Sequence, residues 1–100
     1  MTEELLAATA SSGESQQVTV SGADLPYVFH AAPPMPINKK ASVQFLGGNG
    51  SWYPLYLGGF PQELTAVNNQ VPIFNPGIYR LRKDATTEAV GLFGNAENKL

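Results

Sequence analysis

From Gln16 onward, apolar and polar residues alternate over short stretches, and Gly, Pro and Asn interrupt them at close intervals. Val18 and Val20, Val43 and Phe45, and Tyr79 and Leu81 put apolar side chains at every second position, the period of a strand that buries one face. The pattern predicts strands over 17–21, 26–30, 39–46, 51–57, 63–67, 71–74, 77–83 and 88–93. Seven or eight short strands without a long helix predict an all-β chain: a single small antiparallel β-sandwich, immunoglobulin-like, with a short N-terminal arm or helix.

The punctuation between the strands is specific. Gly47, Gly48, Asn49 and Gly50 predict a hairpin, because positive backbone φ falls most easily on Asn-Gly. Pro33, Pro34 and Pro36 make 31–38 an extended crossover between sheets, since proline supplies no ladder donor. Asn75-Pro76-Gly77 is a corner, and the runs after it read as the last hairpin, joined across a polar turn at 84–87. Tyr79 lies where immunoglobulin-like sandwiches place a corner tyrosine, whose hydroxyl bonds back to backbone a few residues upstream.

The pattern divides the chain into an N-terminal arm (1–16), the sandwich (17–94) and a C-terminal tail (95–100). Thr2 is a candidate helix cap, with Glu3 and Glu4 in the first turn and LLAATA as the body. A helix that short is marginal alone in water. It needs a surface to dock on, with Leu5 and Leu6 as anchors, on this domain or a neighbouring subunit; a frayed terminus is the other reading.

Composition narrows the classes. Hydrophobic residues make up 43% and charged residues 14% of 100 positions, which suits one folded domain. A net charge of −2 gives no global attraction to nucleic acid. The absence of cysteine excludes disulfides and thiolate metal sites. No run approaches the roughly 20 apolar residues of a membrane span, and the acidic start is unlike a secretory signal. The expected partners therefore include neither nucleic acid nor membrane.

Candidate chemistry is sparse. His30 is the single histidine, and no nucleophile-elbow motif frames a serine. No ligand spacing for zinc or calcium is present, and the glycines at 47–50 lack the lysine and helix of a phosphate loop. These readings predict no catalytic residue, no metal and no cofactor. A hydrolase built on His30 is the weakest alternative. The remaining features point to contacts. Arg80 and Arg82 share one strand face, open to an acidic partner or to water. Trp52 is expected in the core or half-buried, and Phe60, within LGGFPQE, is the candidate interface anchor.

Over 41–93, the runs SVQFLGGNGSWYPL and LTAVNNQVPIFNPGIYRLRKDATTEAVGLF resemble a group of short tailed-bacteriophage virion proteins. In these a strand is followed by a Trp-bearing hairpin, a Leu-Thr-Ala-x-Asn-Asn-Gln segment, a Pro-Gly-x-Tyr-Arg strand and a Val-Gly ending. The resemblance covers roughly the C-terminal half to two-thirds of the chain and leaves residues 1–38 outside it. It implies a small β-sandwich that decorates or cements a capsid, or forms part of a head fibre. The implied partners are the major capsid protein and copies of the chain itself, on the capsid surface of a virion assembled in host cytoplasm. Contacts are then expected from the arm (Leu5, Leu6), the Pro-rich connection (Pro33, Pro34, Met35), Phe60, Arg80 and Arg82. A carbohydrate- or host-surface-binding module, using Trp52 and Phe60, is the alternative.

Overall fold

The computed structural model describes residues 2–96. In chain order these form β1 (Thr2–Thr9), β2 (Gly13–Glu14), β3 (Val18–Val20), a single 3-10 turn (Gly22–Asp24), β4 (Tyr27–Ala32), β5 (Ala41–Leu46), β6 (Trp52–Pro54), β7 (Tyr56–Leu57), β8 (Phe60–Pro61), β9 (Glu63–Leu64), β10 (Val71–Ile73), β11 (Gly77–Lys83) and β12 (Val90–Ala96). One sheet runs β1-β12-β4-β10. The other runs β2-β11-β5-β6, with β3 also on β11 and β9 also on β5. Among the described residues, the strand pairings in both sheets are antiparallel.

The all-β antiparallel sandwich is thus present, but its connectivity is not the immunoglobulin order. The first half of the chain pairs with the second in reverse: β1 with β12, β2 and β3 with β11, β4 with β10, β5 with β6 and β9. Such a long hairpin wrapped around a core is a jelly roll, made of two Greek keys. Its bend is the glycine-rich 47–50 turn, closed by Gly47 N–H to the Ser51 carbonyl at 2.8 Å.

The largest departure from expectation concerns the end of the chain. β11 and β12 were expected to pair across 84–87, yet they lie in different sheets. The polar segment between them is bonded elsewhere: Asp84 N–H to the Lys40 carbonyl at 3.0 Å and Thr86 N–H to the Ala10 carbonyl at 2.8 Å. Buried Lys83, 1% exposed, reinforces this crossover. Its ammonium donates to the carbonyls of Ser11 and Asp84, both at 3.1 Å, and to Thr86 Oγ1 at 3.2 Å. Burial lowers the pKa of this lysine, and the three acceptors stand in for water.

The expected arm or helix at 1–16 is instead part of both sheets. Thr2–Thr9 is an edge strand on β12, and Gly13–Glu14 pairs with β11. Helix propensity over so few residues is a weak preference, and burying Leu5, 3% exposed, in the sandwich outweighs it. β12 likewise carries Asn95 and Ala96, placed in a tail by the sequence; 97–100 lie outside the described residues.

Alternation places the core. In β4, Tyr27, Phe29 and Ala31 point in, and in β11, Tyr79, Leu81 and Lys83 do so. Arg80 and Arg82 share the opposite face. The Tyr79 hydroxyl donates to the Asn75 carbonyl, four residues upstream, at 2.8 Å, and bridges the turn into β11. Losing a buried bond of this kind costs about 1 kcal/mol. Tyr79→Phe is therefore expected to lower the melting temperature by several degrees; an unchanged melt would remove this role.

Candidate interaction surface

β5 is flanked by an interrupted edge strand. β6 pairs with Gln44–Leu46 and β9 with Ala41–Ser42. Val43 between them accepts from Leu55 N–H at 3.0 Å and donates to the Gln62 carbonyl at 2.9 Å. Between those two points the chain leaves the sheet, makes the two-stranded hairpin β7–β8, and returns. The hairpin turns on Gly58 and Gly59, at φ 61° and 83°. Consecutive left-handed residues are what a type I′ turn requires, and glycine takes them without strain.

This hairpin contributes little to its own core. Every residue from Tyr56 to Pro61 is exposed, Phe60 by 73% and Tyr56 by 57%. Leu57 and Phe60 are direct cross-strand partners, so their side chains share one face. Leu57 also borders a small depression shared with exposed Phe74. No charged residue lies between Tyr56 and Gln62. The result is a projecting apolar knob.

A second exposed apolar feature lies between two connections. A cleft of about 430 Å³ runs between Ile37–Lys40, Thr65–Val67 and Asp84. Its walls are hydrogen-bonded turns: Lys39 N–H reaches the Pro36 carbonyl at 3.1 Å, and Thr65 N–H reaches the Asn68 carbonyl at 2.9 Å. Asn38 at φ 67° gives the first turn its left-handed third position, as in type II turns. Ile37 and Val67 occupy turn positions and are 79% and 97% exposed.

On the outer face of the β2-β11-β5-β6 sheet, the Arg80 guanidinium lies over the half-buried Trp52 ring, 4.4 Å from its centroid. Arg80 Nε donates to Gln44 Oε1 at 2.7 Å. Arg82 pairs with Glu14, so its charge is largely compensated. His30 stacks on Phe93 with centroids 5.3 Å apart. Among the described residues, no group of three or more His, Asp or Glu side chains is placed to hold a metal ion.

The residues singled out from sequence are therefore scattered. Phe60 stands on the knob, and Pro33 and Pro34 are exposed on the crossover. Leu5 and Met35, expected to face a partner, are instead 3% and 1% exposed. Burying them completes this domain's core, which leaves no surface for another chain. Leu6 is half-buried and packs against that core. Sequence reasoning missed Tyr56 and Leu57 as companions of Phe60, and it missed Ile37 and Val67. A Gly-Gly pair flanked by Tyr-Leu and Phe-Pro was the available signal for the hairpin.

No family model matches the chain, and no curated protein matches it. Among solved structures, the SPBc2 prophage-derived protein YomS is similar, with a TM-score of 0.67 at 13% identity, covering 94% of this chain and 88% of that one. At that identity the likeness concerns the fold: the small antiparallel sandwich is an arrangement this chain shares with a prophage-derived protein.

Proposed function

We propose that this protein is a non-enzymatic structural component of a tailed-phage virion that decorates or cements the capsid shell, with the major capsid protein as its partner. The observation that carries this reading is an exposed, uncharged apolar hairpin on a closed jelly-roll core. An apolar knob with no role inside its own domain suits protein contact, and a stable sandwich holds it in a defined place. The fold shared with a prophage-derived protein and the virion-protein resemblance over 41–93 support the same reading. Jelly rolls occur in viral capsids and also in lectins, so the surface has to decide between uses.

Co-sedimentation tests it. The purified protein is expected to pellet with phage capsids that lack it and to raise their resistance to heat. Phe60→Ala is expected to reduce the bound fraction several-fold while leaving the melting temperature within about 2 °C, because Phe60 is exposed. Absence of any binding to capsids would overturn the reading.

A second reading is favoured by one feature, the Trp52 ring held under Arg80 on an outer sheet face. A carbohydrate- or host-surface-binding module would use this platform. It predicts a change in Trp52 fluorescence on titration with host surface glycans, whereas a capsid cement predicts none.

A further inference from the structure

The knob and the cleft occur on the same chain, and each lacks a partner in it. We infer that the β7–β8 hairpin of one copy seats in the Ile37–Val67 cleft of a second copy, so that the protein self-associates head to tail.

Three observations carry this. First, Ile37 and Val67 lie in tight turns, where polar residues and glycine are the usual occupants. Neither is explained by its own fold, since Val67 is 97% and Ile37 is 79% exposed. Both connections are anchored by turn hydrogen bonds, so the walls are formed before contact. Second, the sizes agree. A cleft of about 430 Å³ falls in the range that encloses a compact apolar group, and the Leu57–Phe60 pair is such a group on a narrow two-stranded stem. Third, charge does not oppose the contact. The hairpin carries none; at the cleft, Lys40 is paired with Glu63 at 3.0 Å, and the Asp84 carboxylate, which also lines it, accepts from Lys40 N–H at 3.0 Å. Lys39, beside it, is free to meet the peptide carbonyls of the Gly58–Gly59 tip.

A knob entering a different surface is a heterologous contact. It closes into a ring where the rotation returns to its start and otherwise extends. The area is modest, on the order of several hundred Å² per partner, which belongs with weak and transient interfaces. Association in the micromolar range is the expected strength. A given hairpin meets either a second copy or the capsid, so the two contacts compete for Phe60; self-association is measured without capsids, so it can fail while the capsid reading stands, and the reverse.

The test is sedimentation velocity on the full chain and on two variants, Phe60→Asp, which spoils the knob, and Val67→Asp, which spoils the cleft. The parent is expected to associate with rising concentration, and each variant to raise the dissociation constant at least about tenfold. Circular dichroism melts should stay unchanged because both sites are exposed. The decisive arm mixes the variants. One retains an intact cleft and the other an intact knob, so the mixture should form a 1:1 pair that grows no further. A parent that stays monomeric up to millimolar concentration would overturn the inference. So would association that Val67→Asp leaves intact, which points to hairpin-to-hairpin contact, or a mixture that remains monomeric.

Discussion

Gly94→Ala is expected to destabilise the protein by about 3 kcal/mol, although it adds a single methyl group. An added Cβ would lie 2.5–2.6 Å from two ring carbons of Tyr27 and closer still to its hydroxyl oxygen. Shifting the ring disturbs what holds it. It is 5% exposed, it packs edge-on against Phe29 with centroids 5.3 Å apart, and its hydroxyl donates to Glu3 Oε1 at 3.0 Å. Burial, followed by the hydrogen bond to the Glu3 carboxylate, pushes the phenol's pKa far above its ordinary value, so it remains a neutral donor. Relieving the clash means moving a packed ring and stretching that bond, and overpacking of this sort costs about 1–3 kcal/mol before the bond is counted. Urea denaturation of Gly94→Ala, Tyr27→Ala and the double variant checks the cause. If the ring is responsible, the glycine substitution costs much less in the Tyr27→Ala background. Equal costs in both backgrounds would assign the effect to the β12 backbone instead.

Asn69→Ala is expected to cost about 2–4 kcal/mol through two backbone groups rather than through packing. β10 begins at Val71, opposite Phe29, which leaves Ala31 of β4 beyond the end of its neighbour. The Asn69 amide takes the place of the missing strand. Its Oδ1 accepts from Ala31 N–H at 3.0 Å, and its Nδ2 donates to the Ala31 carbonyl at 2.9 Å. Ala31 is 1% exposed, so neither group regains water easily, and a buried unpaired group carries the full cost of its lost solvation. A fall of on the order of 10 °C in melting temperature follows for a domain of this size. Asn69→Asp keeps the acceptor but turns a carboxylate oxygen toward the Ala31 carbonyl, and a loss at least as large as that of Asn69→Ala is expected. A loss below about 0.5 kcal/mol for Asn69→Ala would show that the amide is replaceable. Neighbouring Asn68 acts in the turn itself, accepting Thr65 N–H through its carbonyl and donating from Nδ2 to the Glu63 carbonyl. The Leu-Thr-Ala-x-Asn-Asn-Gln segment thus has a structural reason for both asparagines.

Much of the architecture was legible where the signal is local. Alternation located Val18–Val20, the inward face of 41–45 and the split of 77–83 into a buried Tyr79, Leu81 side and an outward Arg80, Arg82 side. Glycine marked the bend at 47–50, and proline marked the passage from β4 to β5 between the sheets. Errors arose where two local solutions were nearly equal. LLAATA suits a short helix as well as a strand, and only β12, with its unpaired edge, made the strand the better one. The run 63–67 suits one strand, but Thr65 and Asn68 bond to each other and end it after Leu64. The exposure of Phe60 was legible from its glycine-rich loop, whereas Val67 and Ile37 look like ordinary strand and core residues until their exposure is known.

From sequence alone came the material: strands of one-sided polarity, the turns that separate them, and a composition without cysteine. Only tertiary structure decided which strand pairs with which, because a strand's alternation shows that it has a buried face and not whose backbone will complete its ladder. That choice sent β11 and β12 to different sheets, enclosed Leu5 and Met35, and left the β7–β8 hairpin outside. Burial is a property of the whole packed chain, and a surface for partners is whatever apolar area that packing does not use.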